Sequence, residues 1–200
     1  MTGLIRSSAF ALAVMILAGT RTTFGCACCT NEGQRNVTTV GIDSEKRQLI
    51  ESLRYGGNAT LFTGEGDVEA IVGIATPSRH YDVTAKWIDN RLMFSFRDKA
   101  GRTGTLALAR PKTVSVFEVD PRDSPDVGQG PTLYKEWKIS GPAAGSGVFA
   151  PGAGPRQLLT LIIHGRGNSC TSDIDFSHWT LVMQGPNANY TLFGNLVTTK

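Results

Sequence analysis

The feature that most constrains this chain is a succession of short apolar runs with a period of two, cut by turn residues about every ten positions. Tyr81–Ile88 sets Tyr81, Val83, Ala85 and Trp87 against Asp82, Thr84 and Lys86. Such alternation gives an extended strand one apolar and one polar face, and gives a helix neither. Arg91–Arg97 repeats it with Leu92, Phe94 and Phe96, and Asp89-Asn90 alone lies between the two runs. They therefore read as a hairpin. Thr103–Ala109 and Thr113–Val119 follow, separated by Arg110-Pro111-Lys112. Leu133–Ile139 places Leu133, Lys135, Trp137 and Ile139 on one side and Tyr134, Glu136 and Lys138 on the other. Gln157–His164, Ile174–Gln184 and Asn189–Val197 close the chain, the last two joined at Gly185-Pro186-Asn187. An earlier apolar run covers Val68–Thr76.

Strands at this spacing, with no helices alternating between them, specify an antiparallel all-β domain. Roughly ten strands can close into a barrel-like meander or split into a two-sheet sandwich. The consecutive hairpin spacing from Tyr81 to Val119 favours the barrel. Asp120–Pro131, with three prolines and two glycines, reads as a loop. Gly141–Pro155, with five glycines and three prolines, reads as a second flexible stretch in which only Val148-Phe149 can pair. One segment competes as a short helix, Asp43–Tyr55. Asp43 or Ser44 caps it, Glu45 suits its positive end, and Gly56-Gly57-Asn58 stops it. Ile42, Lys46, Leu49, Ile50 and Leu53 recur at three and four, as a plug or lid over one end of the β domain requires.

Residues 1–25 read as a secretory signal. Arg6 supplies the positive start, and Ala9–Gly19 is an apolar and small-residue run of eleven, too short for the ~20 residues of a spanning helix. Ala18 and Thr20 offer a cleavage site, as do Thr23 and Gly25 less well. Cleavage after Gly25 would leave Cys26 first, but Thr23-Phe24-Gly25 lacks the aliphatic-small-small run that precedes a lipid-anchored cysteine. The expected organisation is a signal at 1–25, a Cys-rich segment at 26–42 and one β domain at 43–200. The mature chain is expected in the periplasm or outside the cell, with no transmembrane span.

Composition adds two exclusions. With 40% hydrophobic residues the chain can build a core, so it is not a disordered polymer. The formal charge is +3, and loss of Arg6 and Arg21 with the signal leaves 18 basic against 17 acidic residues, or +1. That balance gives no bulk attraction to nucleic acid.

The sulfur chemistry is concentrated. Cys26, Cys28 and Cys29 form C-x-C-C, and Cys170 lies 141 residues past Cys29. In an oxidising compartment four cysteines read as two disulfides. Neighbouring cysteines, or cysteines one residue apart, make strained rings, so Cys26–Cys29 is the relaxed local pair and Cys28 is left to reach Cys170. By chain entropy a loop of that length is worth about 4–5 kcal/mol. The competing reading is a soft-metal site. In an extended segment Cys26 and Cys28 project to one side, and paired thiolates suit Cu(I) or Zn. A closed Zn site needs four ligands, drawn from Cys26, Cys28, Cys170 and a histidine. Exchange between Cys26–Cys29 and Cys170 is a redox variant.

Other groups carry less. His80, His164 and His178 have no ligand-type spacing. Cys170, Asp173 and His178 do not make a nucleophilic site by adjacency alone. Asp120, Asp123 and Asp126 lack the pattern of a Ca²⁺ loop and fit Asx-turns. Trp87, Trp137 and Trp179 fall in three strands and read first as core. With no acid–base or nucleophile constellation, the sequence points to a secreted, non-enzymatic β domain, stapled by disulfides, that binds an unidentified ligand or protein partner. The alternative is a periplasmic soft-metal or thiol-redox protein working through Cys26, Cys28 and Cys29.

Overall fold

The computed structural model describes residues 35–121, 133–168 and 173–197. The expected hairpin is present: β3 (His80–Ile88) and β4 (Arg91–Asp98) pair from Tyr81↔Asp98 to Ile88↔Arg91. Asp89 at the turn takes φ 51°, the left-handed conformation that a tight two-residue hairpin loop demands. β5 (Thr103–Ala109) continues the meander on β4. The remaining ring strands are β7 (Tyr134–Gly147), β8 (Gly154–Arg166), β9 (Phe176–Gln184), β10 (Asn189–Asn195) and β2 (Asn58–Leu61). Hydrogen bonding runs β7-β5-β4-β3-β2-β10-β9-β8, and β8 returns to β7, which closes an eight-stranded antiparallel barrel.

Two further strands, β1 (Arg35–Gly41) and β6 (Thr113–Val119), lie outside the ring. The end of β7 pairs with β5 (Gly104↔Gly147 to Ala107↔Ala144), and its start pairs with β6 (Ser115↔Lys138 to Val119↔Tyr134). β5 and β6 therefore run in one direction along the same edge of β7, bent at Arg110-Pro111-Lys112. Beyond the bend β1 takes the place that β4 holds before it. The opening left between the β3–β4 turn and β1 is covered by α1 (Ser44–Ser52), whose Leu49 and Ile50 are buried. Asp43 caps this helix by accepting from Lys46 N at 2.8 Å. Arg54 Nη1 donates to the carbonyls of Glu51, Ser52 and Leu53 at its other end. That side-chain cap, with Leu53 turned into the core, stops the helix before the glycines that the sequence suggested.

Two expectations are corrected. Val68–Thr76 is not a strand: it opens as a single 3-10 turn at Val68–Ala70 and passes through Gly73 at φ 95°. Gly141–Pro155 is not a flexible stretch, since β7 runs through Gly147 and β8 starts at Gly154. Its first proline is housed at a bulge, where the register shifts between Pro142 and Ala143. Gly147, at φ 60°, lets β7 close on β5, because a Cβ there would overlap the Thr103 carbonyl. Within the described residues the sheet begins at Arg35, where β1 has β6 to pair with.

Inward side chains fill the barrel. Phe94 and Phe96 of β4, Trp179 of β9, Tyr81 of β3, Tyr190 of β10 and Phe149 are all buried. Phe96 lies 4.9 Å from Phe149 and Phe94 lies 5.0 Å from Tyr55, ring centre to ring centre. Leu133, Lys135, Trp137 and Ile139 all turn inward, as their alternation implied. Lys135, only 2% exposed, is accommodated by an ion pair with Asp175 at 2.9 Å. Among the described residues no helix is long and apolar enough to cross a membrane.

Candidate functional site

Cys26, Cys28, Cys29 and Cys170 all lie outside the described residues, as does the expected signal at 1–25. Asp123 and Asp126 lie outside them too, whereas Asp120 is wholly buried. Among the described residues no group of three or more His, Cys, Asp or Glu side chains is arranged to hold a metal ion. Trp137 and Trp179 belong to the packed core, which leaves Trp87 as the half-buried tryptophan of the three.

The barrel interior is occupied by side chains that contact one another. Trp179 is in ring contact with Phe94 at 5.7 Å and Tyr55 at 6.1 Å. The Tyr55 hydroxyl, Trp179 Nε1 and the Tyr190 hydroxyl are enclosed there without hydrogen-bond partners among the described residues. Burial pushes the phenols of Tyr55 and Tyr190 well above the usual tyrosine range, so both remain protonated. Around Tyr190 the neighbouring Tyr81 phenol adds to the effect of burial in the same direction.

Three open concavities lie outside the barrel, where β5 bends into β6 and α1 covers the gap. Ile42 and Arg47 border each of three adjoining clefts there. One, of about 480 Å³, is lined by Ile42, Arg47, Asn90, Ala109, Arg110, Pro111 and Lys112, three cations and no acid. The bend builds it: Ile42 N donates to the Lys112 carbonyl at 3.0 Å, and Arg110 N donates to the Asn90 carbonyl at 2.6 Å. The Arg110 guanidinium is fixed from three directions. Its Nη1 meets Glu51 Oε1 at 2.5 Å, its Nη2 meets the Asp89 carbonyl at 3.4 Å, and its central carbon sits 5.1 Å from the Trp87 ring centre. Arg110 Nε is enclosed and has no partner among the described residues. The side chains of Arg47 and Lys112 have no ion-pair or hydrogen-bond partner among the described residues either. The sequence showed Arg110-Pro111-Lys112 only as a connection. Two cations flanking a proline, beside a strand that ends Trp87-Ile88, were the available signal.

A second constellation crosses the outer wall. Strand register puts Phe117, Glu136, His164, His178 and Asn195 in one row over β6, β7, β8, β9 and β10. The rings of His164 and His178 lie 5.4 Å apart at an interplanar angle of 22°. Burial, and then the charge of His178, hold the His164 imidazole below the usual histidine range. Burial would raise the Glu136 carboxyl, but the Tyr134 hydroxyl at 2.5 Å and the Lys138 ammonium at 3.2 Å outweigh it and hold the group low. His80, by contrast, stands exposed at the start of β3. Sequence spacing hid the pairing of His164 with His178, because it depends on the register of a hairpin whose ladder shifts at Gly165.

No protein-family model, no curated protein and no solved structure matches this chain.

Proposed function

We propose that this chain is an exported, non-enzymatic β-barrel binding domain that takes an anionic group in the cleft beside α1 and is fastened by its four cysteines as disulfides. The observation that carries the reading is the pairing of two uncommitted cations, Arg47 and Lys112, with a third, Arg110, held rigid against Trp87. A guanidinium already oriented loses little freedom on meeting a carboxylate, phosphate or sulfate. Ile42, Pro111 and Trp87 give an apolar border for the body of an organic anion. Charge here is local, which suits a chain with almost no net charge once its signal is removed.

Trp87 is the reporter, since Trp137 and Trp179 are buried in the core. Titration with inorganic phosphate, citrate and a carboxylated oligosaccharide should change tryptophan fluorescence saturably for at least one probe. The change should weaken with added salt and vanish in Trp87→Phe. The double variant Arg47→Ala/Lys112→Ala should fold and lose at least about tenfold in affinity. No saturable response to any probe, or an undiminished response in the double variant, removes the reading. Intact mass of the mature protein with and without alkylation tests the rest. A start near residue 26 with no free thiol supports export and staples. Three or four free thiols with copper or zinc retained would replace the staples by the Cys26, Cys28 and Cys170 metal reading.

A further inference from the structure

We propose that His164 and His178 form a surface site for a divalent transition ion of the Cu²⁺, Ni²⁺ and Zn²⁺ class, independent of the cysteines and of the cleft beside α1. The two residues are direct partners across the β8–β9 ladder and project from the outer wall. Their backbones are held on both sides, by β7 beyond β8 and by β10 beyond β9. The rigid sheet therefore fixes the separation of the rings, which is 5.4 Å between centres. Two imidazole nitrogens each about 2.1 Å from a shared ion leave ring centres roughly 5 Å apart, so the spacing needs no movement of the backbone. The rings are nearly parallel, and a turn about χ2, a soft torsion in histidine, brings one nitrogen of each toward a common point.

The second partner of His178 is already in place. Its Nδ1 lies 2.7 Å from Ser177 Oγ, and with Nδ1–H donating to that oxygen the Nε2 lone pair is left for a metal ion. A hydrogen bond of this kind orients a ligating imidazole. Imidazole pairs suit borderline divalent ions more than Ca²⁺ or Mg²⁺, which prefer oxygen. Glu136 is the next residue in the row, paired with His164 in the β7–β8 register. It is engaged by Tyr134 and Lys138, so water completes the coordination and the site stays open to exogenous ligands.

The test uses the mature protein with its thiols blocked by iodoacetamide. Titration with Cu²⁺ followed by electron paramagnetic resonance, and with Ni²⁺ by calorimetry, should give one equivalent bound with nitrogen hyperfine structure from two imidazoles. His164→Ala and His178→Ala should each lower affinity by at least about tenfold, and Ser177→Ala by less. His80→Ala, at an exposed site away from the row, should leave binding unchanged. His164 is only partly covered and His178 is exposed, so the variants should keep the near-ultraviolet dichroism of the parent. Absence of a nitrogen-ligated species in the parent, or equal affinity in the folded double variant His164→Ala/His178→Ala, overturns the assignment.

Discussion

The barrel interior and the margin beside α1 solve opposite problems with neighbouring strands. Inside, ring closure pairs every strand with two others, and the inward faces meet as Phe94, Phe96, Phe149, Trp179 and Tyr190 with no exposed apolar surface left among them. At the margin β5 leaves β4, bends at Pro111 and becomes β6, so the ladder opens and a helix must fill the gap. The interior encloses polar groups: Tyr55, Trp179 and Tyr190 keep donors there without partners among the described residues. The margin keeps cations reachable from solvent. The closed barrel is filled by its own side chains. A discontinuity in its wall provides the recess instead.

Substitutions should separate the two regions. Trp179→Ala has the largest expected effect, about 3–5 kcal/mol of stability, since the ring is wholly buried among Phe94 and Tyr55. Urea unfolding measures it, and where the variant remains folded its Trp87 response to anions should be intact. A lost response in folded protein would join the two regions that the geometry keeps apart. Asp175→Asn should cost about 3–5 kcal/mol as well, by removing the charge 2.9 Å from the buried Lys135 ammonium. The double variant Lys135→Met/Asp175→Leu should recover most of that loss, and failure to do so would mean the pair has a further structural duty.

The far end of the ring gives a pH-dependent contrast. Asp98 closes the β4–β5 turn by accepting from Ala100 N, Arg102 N and Arg102 Nε at 2.6–2.9 Å. Burial would raise its carboxyl, but these bonds from Arg102 and Ala100 prevail and hold it below the ordinary value of 3.8. A depressed pKa stabilises the fold above the unfolded value and ceases to do so as pH falls through the folded one. The parent should therefore melt higher than Asp98→Asn from neutrality down to about pH 4, and the gap should close below that. A constant gap would assign the effect to hydrogen bonding alone. The smallest change in stability is expected for Glu51→Gln, under about 1 kcal/mol, because the ion pair with Arg110 is half-exposed. Anion affinity should rise a few-fold in this variant as Arg110 loses its competing carboxylate. An unchanged affinity would exclude Arg110 from the binding group.

The strands were legible because their signal is local, whereas closure of the ring through β8 and β7 rests on distant pairing. Period-two alternation from Tyr81 to Val119 gave β3 to β6 almost to the residue, and Asp43 gave the start of α1. What escaped was whatever depends on a partner distant in sequence. Arg35–Gly41 reads as an ordinary polar-apolar mixture until β6 lies beside it. Gly145 and Gly147 read as breaks in the chain, whereas in the fold they allow β7 to approach β5 closely. The candidate cleft escaped for the same reason. Arg47, Trp87, Arg110 and Lys112 come from three separate elements and share no spacing that a sequence can display.

The first strand has a mechanical consequence. Seven register pairs join β1 to β6, and β1 stands at the outer limit of the sheet order. A load applied to the chain ahead of Arg35 along the ladder's hydrogen-bond direction reaches those pairs one after another, as in a zipper, before any pairing within the ring is peeled. If the protein is tethered through its N-terminal segment, β1 is a fuse that opens first and re-forms when the load is gone, while the barrel behind it stays shut.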